Sequence, residues 1–204
     1  MKVLYIESKL KNTEFNLAPQ ELKKLPSKLF LAYSIQYQDL AQTLKKQLQS
    51  KGITITNTQQ VLGCSKVKTK NPILLIGSGR FHAINLYLQS PEIYLLEGTK
   101  ITKIPKEEIN QLKAKRKTAL IKFLNADKIG ILVTTKPGQE NINKAIALKE
   151  KLKKKDKEAY IFITNNIDIA QFENFNIQSW VNTACSGLAN DNANIINIAE
   201  LPQP

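Results

Sequence analysis

Short apolar runs alternate along the chain with stretches in which apolar residues recur every three or four positions. Leu29-Phe30-Leu31-Ala32-Tyr33, Ile73-Leu74-Leu75-Ile76 and Ile93-Tyr94-Leu95-Leu96 are continuous apolar runs, the pattern of parallel strands buried on both faces. Lys128 to Val133, Ala159 to Ile163 and Ser179-Trp180-Val181 read as strands too, as does the β-branched Ile53-Thr54-Ile55-Thr56. Leu40, Leu44 and Leu48, with Ala41 beside them, form one face of a helix that ends at Gly52. Further helices are predicted over Arg80 to Leu88, Pro105 to Asn125, Gln139 to Lys155 and, briefly, Ile167 to Phe172. The second of these starts with a proline at a permitted position and carries glutamates in its first turn. Val3 to Ile6 reads as a strand, and Ala18 to Leu25 as a helix opened by Pro19 and broken by Pro26.

Strands alternating with helices of this length call for the α/β class, with parallel sheets covered on both faces and right-handed crossovers. Two such units are expected, over residues 26–125 and 126–190. Residues 1–25, one strand and one helix, are too few to fold alone, and a lone strand must pair with something. Residues 191–204 read as a polar, Asn-rich tail.

Composition narrows the function classes. A chain of 204 residues with 42% hydrophobic positions can bury ordinary cores. No run of 18 apolar residues is present, and the opening segment meets Glu7 too early for a signal-peptide core, so a cytoplasmic protein is expected. The formal charge of +13 raises local anion concentration and favours encounter with RNA, ribosomes or acidic proteins. Only Arg80 and Arg116 among the 30 basic residues are arginine, and no segment interleaves aromatic with basic residues. That argues against sequence-specific nucleic-acid recognition, and much of the lysine is explained as exposed surface.

Candidate chemistry lies just after predicted strands. Cys64 ends Gln60-Val61-Leu62-Gly63-Cys64, and Cys185 follows Trp180-Val181-Asn182-Thr183-Ala184. Neither a structural disulfide nor a self-contained zinc site fits two distant cysteines, no Cys-x-x-Cys and the single histidine His82. Each cysteine is either a small buried hydrophobe or a soft thiolate ligand, as in an iron–sulfur site. In open α/β sheets ligands gather beyond the carboxyl ends of strands, so two such cysteines could converge on one centre. Gly77-Ser78-Gly79 is a Gly-x-Gly turn between strand and helix, suited to a polar or anionic ligand. Arg80-Phe81-His82 follows instead of the third glycine of a dinucleotide fingerprint, which makes a nicotinamide site a poor fit. Thr134-Thr135-Lys136-Pro137-Gly138-Gln139 occupies the matching position in the second unit, either as a plain loop or with Gln139 facing a cleft.

Taken together, these motifs resemble one family. Gln60 to Cys64, Ile73 to Phe81 with His82, Gly130 to Gln139 and Val181 to Cys185 are similar, in order and spacing over residues 26–190, to motifs of the archaeal diphthamide synthases. These are iron–sulfur 2-(3-amino-3-carboxypropyl)histidine synthases. The resemblance implies three similar α/β domains about a pseudo-threefold axis, each giving one cysteine to a single 4Fe-4S cluster with one iron open for S-adenosylmethionine. It implies reductive cleavage of that co-substrate and radical transfer of its 3-amino-3-carboxypropyl group to the imidazole C2 of a histidine in translation elongation factor 2. Cys64 and Cys185 would then be cluster ligands of domains two and three. Gly77, Ser78, Gly79, Phe81, His82 and Gln139 would line the S-adenosylmethionine cleft. Family members work as dimers.

Two departures shape the expectation. The family's first cysteine-bearing domain is missing, and residues 1–25 look similar only to its closing strand and helix. After the last cysteine the family usually carries Pro, a basic residue and an acidic pair, where this chain has Ser186-Gly187-Leu188-Ala189-Asn190-Asp191. The expected protein is therefore the C-terminal part of a split transferase, active with a separate N-terminal fragment that supplies the third cysteine. Its rivals are a non-catalytic supporting subunit and a basic RNA- or ribosome-associated α/β protein.

Overall fold

The structure is a computed structural model that describes residues 3–10, 15–77, 83, 86, 90, 92–172, 174–189 and 192–202. It divides into two compact units, Met1–Ile109 and Asn110–Pro204.

The first unit opens with a short helix α1 (Pro19–Leu22), then β1 (Lys28–Tyr33), α2 (Gln38–Ser50), β2 (Thr54–Gln60), β3 (Ile73–Ile76), β4 (Ile93–Glu97) and β5 (Lys100–Lys103). Its sheet has the order β2-β1-β3-β4-β5. β1 pairs in parallel with β2 and β3, and β3 with β4, while β5 returns antiparallel on β4. Successive strand residues point to opposite faces, so an unbroken apolar run supplies two cores at once. Leu29, Leu31, Leu74, Ile76 and Leu96 pack under the Ala41, Leu44 and Leu48 face of α2. Phe30, Ala32, Ile73, Leu75, Ile93 and Leu95 face the other way, against Val61, Val67, Ala83, Leu86, Ile104 and Ile109.

Helix α3 (Lys106–Asn125) holds the division between the units within its first turn. The second unit continues with β6 (Lys128–Thr134), α4 (Ile142–Lys153), β7 (Glu158–Thr164), β8 (Ser179–Asn182) and β9 (Ile195–Asn197). Its sheet is parallel throughout, in the order β7-β6-β8-β9. Ile129, Ile131, Val133, Val181 and Ile196 pack with Ala119 and Phe123 of α3 and with Ala145 and Leu152 of α4. Leu132, Trp180, Ala189 and Ile195 form the core of the opposite face.

The α/β class with parallel sheets is as expected, and four elements differ from the sequence reading. Residues 3–6 lie in neither sheet; Leu4, Tyr5 and Ile6 are exposed. Residues 15–25 are part of the first unit rather than a detached stump, because Leu17 is buried in its core beside Phe15, Leu22 and Leu25. The boundary expected at 125/126 lies at 109/110, since Ile104 and Ile109 belong to the first core. Residues 192–202, within the stretch expected to be a tail, are folded. Ile195 and Ile196 are about as buried as any residue in the chain, and β9 completes the second sheet. The helix expected over Arg80 to Leu88 falls largely outside the described residues.

Candidate functional site

In each sheet the chain steps outward from the first strand to an edge strand, then crosses back to the other side of the first strand. This reversal falls between β1 and β3, and likewise between β6 and β8, and the carboxyl ends of strands at such a switch point are where open α/β sheets bind ligands. In the first unit that place is bordered by Ser34, whose N–H donates to Ile76 O at 3.2 Å, and by Gly77, whose N–H donates to Leu96 O at 3.4 Å. Gly77 is buried, yet a Cβ there would meet nothing nearer than Leu75 Cγ at 3.9 Å, so packing alone does not demand glycine. Ser78, Gly79, Phe81 and His82 lie outside the described residues.

Cys64 is exposed and free, in the turn that leaves β2. Val61 N–H still donates to Tyr33 O at 2.8 Å, which extends the ladder by one residue, and the chain then turns with Ser65 N–H donating to Leu62 O at 3.0 Å. The Ser65 hydroxyl accepts from Leu62 N–H at 2.8 Å. Both candidate cysteines thus lie past carboxyl ends of parallel strands. They are not at matching positions, however: Cys64 follows the edge strand β2, and Cys185 follows the interior strand β8. By strand order, Gly77 is the counterpart of the Cys185 loop.

In the second unit two candidate loops are brought together. Lys136-Pro137-Gly138-Gln139 is a type II turn: proline follows the first residue, Gly138 has φ +77°, and Gln139 N–H donates to Lys136 O at 3.1 Å. Gln139 is exposed and ends this turn rather than beginning α4, which starts at Ile142. Asn141 stands at the N-cap position but makes no side-chain cap bond. Its amide donates instead to Gln139 O at 3.1 Å and to Thr183 O at 2.8 Å, tying the Gln139 turn to the residues that lead into Cys185.

Cys185 is a half-buried free thiol. Thr183 is fixed by two bonds to Leu132 O, from its N–H at 3.1 Å and its hydroxyl at 2.8 Å. Asn182 accepts Ala184 N–H on Oδ1 at 2.9 Å, a local turn bond typical of asparagine, and donates to Cys185 O at 2.7 Å. Sequence reasoning missed Asn141, Asn182 and Asn197. For Asn182 and Asn197 the signal was a polar residue ending an apolar run, in Trp180-Val181-Asn182 and again in Ile195-Ile196-Asn197. Farther out, Glu200 pairs with Arg116, and burial pulls that guanidinium below its ordinary pKa.

Thiolates are the donors an iron–sulfur group takes, and both cysteines are free, one exposed and one half-buried. Among the described residues no group of three or more His, Cys, Asp and Glu could hold a metal. The donor chemistry of each cysteine fits a ligand of an iron–sulfur group.

The family profile of diphthamide synthesis proteins matches residues 1–200. The chain belongs to that family. It is 28% identical over 178 residues to the 2-(3-amino-3-carboxypropyl)histidine synthase of Pyrococcus horikoshii, an alignment covering 81% of this chain and 52% of that protein. It is 29% identical over 182 residues to subunit 1 of the synthase of Yarrowia lipolytica, covering 81% of this chain and 41% of the relative. Crystal structures of Dph2 from Pyrococcus horikoshii share the fold, with 25% identity over 87% of this chain and 57% of theirs. The TM-score is 0.72 for one and 0.73 for another that contains a 4Fe-4S cluster. The chain spans about half the length of the relatives it matches. No helix among its described residues is long and apolar enough to cross a membrane.

Proposed function

We propose that this chain forms the two C-terminal domains of a 2-(3-amino-3-carboxypropyl)histidine synthase. It would transfer the 3-amino-3-carboxypropyl group of S-adenosylmethionine to a histidine of translation elongation factor 2, by radical chemistry. The observation that carries this reading is the pair of free cysteines, each past the carboxyl end of a parallel strand, in a chain similar to a Dph2 crystal structure that holds a 4Fe-4S cluster. When bound, the cluster supplies the electron that breaks the bond between the sulfonium sulfur and the aminocarboxypropyl γ-carbon.

The chain's own residues have narrower tasks. Cys64 and Cys185 serve as thiolate ligands. The backbone at Gly77 and the Gln139 turn hold polar groups of the co-substrate, with Ser78, Gly79, Phe81 and His82 assigned to the same cleft by family resemblance. Asn141 keeps the Gln139 turn in step with the Cys185 loop. The third thiolate comes from polypeptide outside these 204 residues, because the chain has two cysteines. The exposed run Leu4-Tyr5-Ile6, 83%, 73% and 84% accessible, suits pairing with that added domain, and the working assembly is a cytoplasmic dimer. A supporting subunit without chemistry of its own is the second reading, favoured by the same count of two cysteines.

Anaerobic iron–sulfur reconstitution tests this, on the chain alone and with a polypeptide carrying the first domain, followed by electron paramagnetic resonance of the reduced samples. A 4Fe-4S signal that needs the first domain and disappears in Cys64→Ala and Cys185→Ala is expected. No cluster under either condition would leave only the supporting role.

A further inference from the structure

We propose that Asn182 and Asn197 are positioning residues that set the Cys185 thiolate for its ligand, an inference that rests on Cys185 being a cluster ligand. The two asparagines end neighbouring parallel strands and are register partners in the β8–β9 pair. They are 1% and 4% exposed, at positions flanked by Val181 and Ile196, which are apolar and buried. A primary amide at such a place is costly unless all its polar atoms find partners. Here they do, and the partners are concentrated around one residue.

Asn182 Oδ1 accepts Ala184 N–H at 2.9 Å, and Asn182 Nδ2 donates to Cys185 O at 2.7 Å and to Asn197 Oδ1 at 2.8 Å. Asn197 Nδ2 donates to Ser186 O at 3.1 Å and to Glu200 Oε1 at 2.9 Å. Glu200 is in turn the ion-pair partner of Arg116 on α3. The amides thus hold the residue before Cys185, Cys185 itself and the residue after it, all through backbone atoms. The thiol is left out of the network and half-exposed. An apolar pair would end the two strands equally well but would leave those three backbone groups without these partners. Fixing a ligand's backbone so that its donor atom points one way is how residues behind a metal ligand raise affinity and tune the bound group.

The test uses Asn197→Ala, Asn182→Ala and Asn182→Asp in the full chain, each checked for folding by circular dichroism. Without cluster, the variants should alkylate at Cys185 several-fold faster than wild type, with Cys64 on the same molecules unchanged as the internal reference. Hydrogen exchange at Ala184 N–H should quicken in Asn182→Ala and stay slow in Asn182→Asp, which keeps the acceptor. In the assembled, reconstituted enzyme the resonance line shape should change, and the cluster should be lost to a chelator about 10-fold faster, as for other residues that orient metal ligands. If Asn182→Ala does not fold, Asn197→Ala on the edge strand β9 carries the comparison. Folded variants with wild-type Cys185 alkylation, line shape and chelator half-life overturn the inference. A cluster that survives Cys185→Ala unaltered instead overturns the ligand reading beneath it, a result the alkylation data cannot mimic.

Discussion

Gly130 and Trp180 face each other across the β6–β8 pair so closely that a Cβ at position 130 would sit 2.2 Å from two carbons of the indole six-membered ring. The ring cannot retreat easily, because Phe162 and Phe172 pack on it with centroids 4.9 and 5.2 Å away. Gly130→Ala should therefore destabilise the second unit by roughly 1–3 kcal/mol, the usual cost of overpacking a filled core. Trp180→Phe shortens the ring and should make the alanine cheaper, so the double variant loses less than the two singles added. Urea unfolding of the four proteins checks this. Strict additivity would show that the clash is relieved elsewhere.

The cysteines should matter for cluster binding and hardly at all for folding. Cys64 is exposed, so Cys64→Ala should change unfolding free energy by no more than about 0.5 kcal/mol. The same variant should abolish cluster assembly in the reconstituted complex. A large loss of stability with the cluster retained would mark Cys64 as a structural residue.

Glu21 should make stability depend on acid pH. Its carboxylate takes the Lys24 ammonium at 2.6 and 2.7 Å and Ile101 N–H at 2.7 Å, and these bonds, Lys24 foremost, hold its pKa below the ordinary 4.5. A depressed carboxylate contributes stability that is complete above its unfolded pKa and is lost as pH falls through the folded one. Wild type should melt above Glu21→Gln at pH 7, and the gap should close only below about pH 4.5. A gap that stays constant from pH 7 to pH 3 would remove the linkage.

Gly138 is in the left-handed region with φ +77°, which costs a residue with a Cβ about 1–2 kcal/mol. Gly138→Ala should lower the melting temperature modestly and, by shifting Gln139, weaken co-substrate binding in the assembled enzyme. Gly138→Asn should be milder, since asparagine tolerates that region better. Isothermal titration with S-adenosylmethionine separates the two effects; unchanged affinity in both variants would take Gln139 out of the cleft.

The strands at 29–33, 73–76 and 93–96 were legible because a run buried on both faces must be apolar at every position, whatever packs on it. The α2 face was legible for a related reason: Leu44 and Leu48 meet the sheet at helical spacing. β5 was not, since Lys100-Ile101-Thr102-Lys103 carries one buried side chain, and its pairing depends on β4 beside it and Glu21 on Ile101 N–H. The same holds for β9. Ile195 and Ile196 sit in an Asn-rich stretch that reads as polar until β8 is placed alongside.

The sequence by itself determined the α/β class, the parallel sheets, the type of chemistry two cysteines could serve and the family to which they point. Those follow from local periodicity and from residue identity, which no fold is needed to read. The tertiary structure alone decided where the two units divide, that Cys64 and Cys185 follow non-equivalent strands, and that Gln139 lies in a turn and not in a helix. It alone also joined Asn141, Asn182 and Asn197 around the Cys185 loop, across up to 56 positions of chain between Asn141 and Asn197. A hydrogen bond depends on where two groups meet in space, and crossovers bring together residues whose separation in sequence carries no trace of it.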